Sequence, residues 1–281
     1  MKEIFRKSIV VFITALVLLG FARTSIAAEE ERVTGEVAAS FLSAYIWRGQ
    51  ELTRQSAVIQ PSLTVGYKGF TINFWENMDT KPYSTGDEKY SSNFTETDLT
   101  FFYSHKFGIL QVGAGYIYYA LAAPYAGTAD PLDSQELFIT LGLDTILAPT
   151  LTVYKEIDHY HQWYVLLGVS HTFTLHEKIG LKLAATASYL KSEDATTYAK
   201  YDSNSAATAD KFNNFHDATV SVSLPVSVTK YLTITPVIIY VFPLSDDARY
   251  EMRGRGLKIA ANPSDRDSAF LYGGFSASFT F

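Results

Sequence analysis

Ala269-Phe270-Leu271-Tyr272-Gly273-Gly274-Phe275-Ser276-Ala277-Ser278-Phe279-Thr280-Phe281 is the stretch whose reading decides the fold. Leu271, Phe275, Phe279 and Phe281 fall on one parity with Gly273 and Ala277 between them, while Tyr272, Ser276, Ser278 and Thr280 fall on the other. A period of two is the signature of a strand with one apolar and one polar face. The same alternation recurs upstream: Phe70, Ile72 and Phe74 oppose Thr71, Asn73, Trp75 and Asn77, and Leu181, Leu183, Ala185 and Ala187 oppose Lys182, Ala184, Thr186 and Ser188.

Twelve such runs fill residues 33 to 281: Val33 to Trp47, Ala57 to Tyr67, Phe70 to Met78, Thr95 to Phe107, Ile109 to Ala120, Gln135 to Asp144, Thr150 to Asp158, Tyr160 to Phe173, Ile179 to Lys191, Phe215 to Val228, Tyr231 to Phe242 and Ala269 to Phe281. Their connections alternate in length. Lys68-Gly69, Phe107-Gly108, Ile146 to Pro149, His176 to Lys178 and Thr229-Lys230 are short. Arg48 to Ser56, Asp79 to Phe94, Leu121 to Ser134, Ser192 to Asn214 and Pro243 to Ser268 are long and polar, and only the connection at His159 is short on the long-loop side. An even strand count with short turns at one end and long loops at the other predicts an all-β fold, a transmembrane antiparallel up-and-down β-barrel of 12 strands. A soluble barrel would turn the same apolar face inward, so alternation alone leaves both open; strand length, aromatic content and the export signal favour lipid outside.

That export signal is the N-terminal segment. Lys2, Arg6 and Lys7 precede an apolar run from Ile9 to Phe21, too short to span a bilayer as a helix, and Ser25 and Ala27 supply small residues for cleavage after Ala27. The expected organisation is a signal peptide at 1–27 and one outer-membrane barrel at 28–281, with both termini periplasmic. Cleavage would remove Lys2, Arg6, Lys7 and Arg23 against the single acid Glu3, a net loss of three positive charges that moves the formal charge from −6 to −9. Acidity without a Lys/Arg cluster disfavours nucleic acid. The absence of cysteine removes disulfides, thiol catalysis and a lipoprotein anchor.

Expected partners are outer-membrane lipid, small polar solutes and the barrel-assembly machinery. The last is read by way of Phe279 and Phe281, because a terminal Phe on an amphipathic last strand resembles the insertion signal of outer-membrane barrels. Phe41, Tyr45, Trp47, Tyr116, Tyr118, Tyr160 and Trp163 are expected at the lipid interface, which aromatic rings favour.

Parity assigns Arg48, Trp75, Glu96, Asp98, Phe102, Tyr119, Glu136, Glu156, Asp158 and Asp217 to the pore lining. Trp75, Phe102 and Tyr119 would narrow the lumen. The carboxylates would form an acidic belt around one arginine and give mild cation preference, since charged rings select by sign; the competing expectation is that these charges pair with one another. Gly49 allows a tight bend that turns Arg48 back over the mouth, where it could bridge two belt carboxylates. Glu156, Asp158, His159 and His161 gather potential ligands on one tight hairpin, yet without a third ligand fixed by spacing they read as a solvated rim cluster, and no metal or cofactor is expected. Ser104-His105 and Ser170-His171 are adjacent pairs that point to opposite faces of a strand, so no hydrolase arrangement is expected.

Ser43-Ala44-Tyr45-Ile46-Trp47-Arg48-Gly49 resembles the Ser-x-Tyr-x-x-Arg-Gly motif of the TorF-type porin family of proteobacteria, and Gln60 to Tyr67, Gly69-Phe70 and Trp75 to Asp79 resemble the segments that follow it. Tyr118-Tyr119 with Pro124, and Gln135-Glu136-Leu137, continue the likeness, which covers about residues 33 to 190 and departs at Glu76, where a small residue is expected. The resemblance implies a pore. The resulting expectation is a porin-like channel for small hydrophilic solutes, with a non-conducting structural or adhesive barrel and an outer-membrane hydrolase as alternatives.

Overall fold

A computed structural model describes residues 32–53, 56–80, 93–123, 130–255 and 266–281. The expected signal peptide, residues 1–27, lies outside the described residues. The elements are β1 Thr34–Leu42, β2 Tyr45–Trp47, β3 Gln50–Thr53, β4 Val58–Tyr67, β5 Phe70–Asp79, β6 Phe94–Phe107, β7 Leu110–Leu121, β8 Ser134–Leu143, β9 Thr150–Glu156, β10 Gln162–His176, β11 Ile179–Ser192, β12 Ala199–Tyr201, β13 Ala207–Lys211, β14 Asn213–Ser223, β15 Val226–Ser227, β16 Leu232–Pro243, α1 Asp246–Arg255 and β17 Phe270–Thr280.

Each long strand pairs antiparallel with the next, and β1 pairs with β17 from Glu36↔Thr280 to Leu42↔Gly274. The ladder therefore closes into a barrel of 12 strands, with β15 continuing β14 past Pro225 between the same two neighbours. Closure satisfies every edge, which is what lets a sheet stand in lipid. The alternation resolves as expected: Phe70, Ile72, Phe74, Leu183, Leu271, Phe275 and Phe279 are exposed on the outer face, while Thr186 and Ser188 face inward beside Asp217. At Lys68-Gly69 both turn residues have positive φ, 49° and 80°, the two-residue hairpin geometry whose twist matches the strands.

Two departures shape the interior. The first run stops at Leu42 rather than Trp47, because the opposite strand brings Gly273-Gly274 against it. Ser43 N–H donates to the Gly273 carbonyl at 2.9 Å, and a Cβ at Gly274 would overlap the Phe41 carbonyl oxygen. The chain leaves the wall there, and β2 and β3 form a separate hairpin. The second departure is α1, in a connection expected to be loop only. Ser245 Oγ caps it by accepting the Ala248 N–H at 3.1 Å, Asp246 and Asp247 open it, and Arg253 and Arg255 close it, each charge complementing the helix dipole.

Candidate functional site

The β2–β3 hairpin lies inside the lumen. Arg48 and Gly49 form its two-residue turn with φ of 46° and 74°, and the turn reaches the wall opposite β1. There the guanidinium donates twice to one carboxylate, Nη1 to Glu136 Oε1 and Nη2 to Oε2, both at 2.7 Å. It also lies 4.6, 4.9 and 4.3 Å from the ring centres of Trp47, Tyr154 and Tyr164. The expected tight bend is present, but Arg48 engages a single carboxylate, because the planar fork matches both oxygens of Glu136. Nearer the root, Tyr45 OH donates to Glu96 at 2.9 Å, and Thr53 Oγ1 donates to Asp79 at 2.9 Å. Tyr45 and Trp47 are thus lumen residues and not interface anchors, whereas Trp163 on the outer rim donates to Glu193 at 2.8 Å.

The wall carries a row of inward rings. Phe102 stacks on Phe138 at 5.5 Å, Phe138 meets Tyr154 at 5.5 Å, and Tyr154 meets Tyr164 at 6.2 Å. Sequence reading found Phe102 but not the rest of the row, whose signal is Gly113 and Gly115: a Cβ there would run into the Phe102 and Phe138 rings. Trp75 tilts against Tyr45 at 5.7 Å, and Tyr119 meets Trp47 at 6.3 Å while donating to Glu136 at 2.9 Å. Glu96 and Asp98 sit two residues apart on β6, on the inward parity.

Other members of the expected belt are placed differently. Glu156 is fully buried and accepts the N–H groups of Asp158, His159, Tyr160 and His161 at 2.6–3.1 Å. Its carboxylate closes the tight turn, so it is not a free pore carboxylate. Asp158 accepts from Gln135 Nε2 at 2.9 Å, and Gln135 shares the outward parity of the exposed Leu137 and Ile139, so Asp158 stands on the outer side of the rim. His159 Nδ1 faces the Asp133 carbonyl at 2.8 Å.

Asp217 does face the lumen. A β-bulge, where the β11 pairing passes from Ala187↔Ala218 to Tyr189↔Phe215, adds one residue and turns both His216 and Asp217 inward. Asp217 Oδ1 accepts from Ser188 at 2.8 Å and Tyr164 at 2.9 Å, and His216 places Nδ1 2.9 Å from Asp217 and Nε2 2.8 Å from Glu251. The grouping of Ser188, Asp217 and His216 is not a nucleophile triad. The serine donates to the carboxylate, and each imidazole nitrogen already faces a carboxylate, leaving none to take the serine proton.

Glu251 belongs to α1, which lies over the long-loop end of the lumen with Met252 buried near Gly49. Tyr198 OH donates to Glu251 Oε1 at 2.6 Å, and Arg255 Nε lies 2.6 Å from the same oxygen with its guanidinium 3.8 Å over the Tyr198 ring. Burial pushes the Glu251 carboxyl up, but the His216 and Arg255 charges beside it pull harder, and it lies below the ordinary range. Sequence reading missed this latch; its one local signal was the Ser245-Asp246-Asp247 helix start.

Fold and site together define a transmembrane β-barrel of the outer-membrane class whose lumen is crossed by its own first loop. No family model matches the chain, and no curated protein matches it. Among solved structures the chain is similar to the NanC porin at 11% identity and a TM-score of 0.52, covering 87% of this chain and 98% of that one. The KdgM porin matches at 8% and 0.46 over 88% and 99%. An outer-membrane channel from Pseudomonas putida F1 matches at 9% and 0.47 over 92% and 100%.

Proposed function

We propose that the protein is a narrow outer-membrane channel through which small hydrophilic solutes pass, with the β2–β3 hairpin as its constriction. The observation that carries this reading is the position of Arg48. It is pinned to the far wall near the long-loop end of β8, with a cavity of about 270 Å³ around it and another of about 350 Å³ on its long-loop side. Twelve strands enclose a lumen wider than the filled eight-stranded barrels, and an inserted hairpin narrows it to solute size. The NanC barrel, which shares the fold, is a porin, and a channel is the same use of that fold.

On this reading the long loops face outward and both termini face the periplasm, as in outer-membrane barrels generally. The Ser43-to-Gly49 motif supports placement with the TorF-type porins. In this chain its serine accepts the Gly273 N–H at 3.2 Å, its tyrosine holds Glu96, and its Arg-Gly forms the hairpin turn. Of the expected belt, Glu136 is matched by Arg48, Glu156 by backbone amides and Asp217 by His216. Glu96 and Asp98 remain as neighbouring carboxylates, and a cation preference rests on them.

The test is conductance of the refolded mature protein in a planar bilayer under a salt gradient. Discrete steps with a cation-biased reversal potential are expected, and Glu96→Gln with Asp98→Asn should weaken the bias. A silent bilayer with verified insertion would overturn the channel. It would favour the second reading, a non-conducting structural barrel, for which the latched hairpin and paired lumen charges already speak.

A further inference from the structure

The larger of the two central cavities, about 350 Å³, lies between the hairpin and the β5–β10 side of the wall and opens past the exposed Leu52 and Pro131 at the long-loop end. Its wall carries the rings of Tyr45, Trp47, Tyr119, Tyr160 and Tyr198, with Asp79, Glu96 and Arg255 also lining it. All four tyrosine hydroxyls are already committed, to Glu96, Glu136, the Leu132 carbonyl and Glu251 respectively. What these residues leave for an occupant is therefore mostly ring surface. Gln162 in the wall is 3% exposed, and its side-chain carbonyl oxygen has no hydrogen-bond partner. A buried amide oxygen left unpaired costs free energy that a ligand donor would recover.

We propose that this cavity is a binding site for a small aromatic solute carrying one N–H or O–H donor, with the ring held against the Tyr and Trp faces and the donor given to Gln162 Oε1. Its volume is at the low end for ligand pockets, which suits a molecule of one or two fused rings. Aromatic faces favour a flat π-system over an aliphatic ring of the same size. The site needs only the folded barrel; its role as a station for permeating solutes rests on the channel reading.

Trp47 is in the cavity wall, whereas Trp75 and Trp163 are not, so it serves as the reporter. In the full mature chain with Trp75→Phe and Trp163→Phe, titration with 4-nitrophenol should quench Trp47 fluorescence saturably, with cyclohexanol displacing it poorly and phenol displacing it well. Gln162→Leu should weaken binding by roughly fivefold, the usual worth of one hydrogen bond, and Ala122→Phe, which fills the cavity, should abolish it. Heat-modifiable gel mobility verifies folding of each variant. Linear, non-saturable quenching that Ala122→Phe leaves unchanged would overturn the site, as would equal displacement by phenol and cyclohexanol. Saturable binding in a protein silent in bilayers would keep the site and remove the channel; conductance steps without binding would do the reverse.

Discussion

Replacing Arg48 by alanine should release the hairpin while leaving the barrel standing. The guanidinium and the Glu136 carboxylate are 8% and 2% exposed and share two bonds of 2.7 Å. Removing the arginine strands a buried carboxylate whose remaining hydrogen bond is from Tyr119. Breaking a buried pair from one side costs about 3–5 kcal/mol, and the lost contacts to Trp47, Tyr154 and Tyr164 add to it without being separable. That cost falls on the docked hairpin, because the barrel ladder closes through β1–β17 and β1–β4 without β2 or β3. At about 1.4 kcal/mol per tenfold, the docked-to-undocked ratio should drop by roughly two to three and a half orders of magnitude.

Single-channel recording reads this directly: Arg48→Ala should show larger or noisier open levels than the parent, with unchanged heat-modifiable mobility. Arg48→Lys should be intermediate, since lysine keeps the charge but loses the bidentate fork. In a double-mutant cycle, Arg48→Ala with Glu136→Ala should be milder than either change predicts alone. Parent-like traces from Arg48→Ala, or strictly additive effects in the cycle, would refute the latch.

Three further outcomes follow from the same contacts. Glu251 has a folded pKa below its unfolded value, so its stabilisation of α1 is present above roughly pH 4.3 and is lost as pH falls through the folded value. Protection of the α1 amides, corrected for the intrinsic exchange rate, should fall below about pH 4.3 in the parent, and Glu251→Gln should already show lowered protection at about pH 6; parent protection that stays flat below about pH 4.3 contradicts this. Gly274→Ala forces a Cβ onto the Phe41 carbonyl oxygen, and should lower unfolding stability by about 3 kcal/mol, the upper end of overpacking costs, in a urea titration; a change below 0.5 kcal/mol on the scale for ordinary surface sites would show that β1 and β17 separate easily there. Gly49→Val adds β-branching at φ 74° and a contact 3.0 Å from Met252 Cε, so it should loosen both hairpin and α1, seen as faster proteolysis in the long-loop end with the barrel core intact.

The barrel was legible because its signals are local. Alternation and short turns such as Lys68-Gly69 lie within a few residues of each other, and strand ends fall within about two residues of the sequence reading for most runs. The hairpin was not legible, because Tyr45-Ile46-Trp47 alternates like a continuation of β1. The break is imposed across the ladder by Gly273-Gly274, more than two hundred residues away. Parity also misplaced one acid, Asp158, which lies past the end of its strand and turns to Gln135 on the outer side. Glu156 keeps the inward face opposite Glu136, but the backbone amides of the turn that follows take up its charge. At His216-Asp217 a bulge puts neighbours on one face, which strict alternation forbids.

The hairpin is fastened by different chemistry at its two ends, and this bears on how it could move. The tip rests on one buried ion pair, whereas the root is tied by Tyr45 to Glu96 and by Thr53 to Asp79. Charge-assisted bonds to buried acids hold both ends, but only the tip must shed a full ion pair to leave. Swinging about the root therefore requires breaking Arg48–Glu136 and the Gln50–Tyr198 contact at 3.1 Å, and Tyr198 is also the phenol that holds Glu251 of α1. The hairpin tip and the mouth helix consequently share a partner, so displacing α1 and freeing the hairpin are coupled steps. A Tyr198→Phe variant isolates that coupling: it removes the hydroxyl common to Gln50 and Glu251 and keeps the ring under Arg255. Proteolytic sensitivity of α1 and channel noise should rise together in it, and a rise in one alone would separate the two elements.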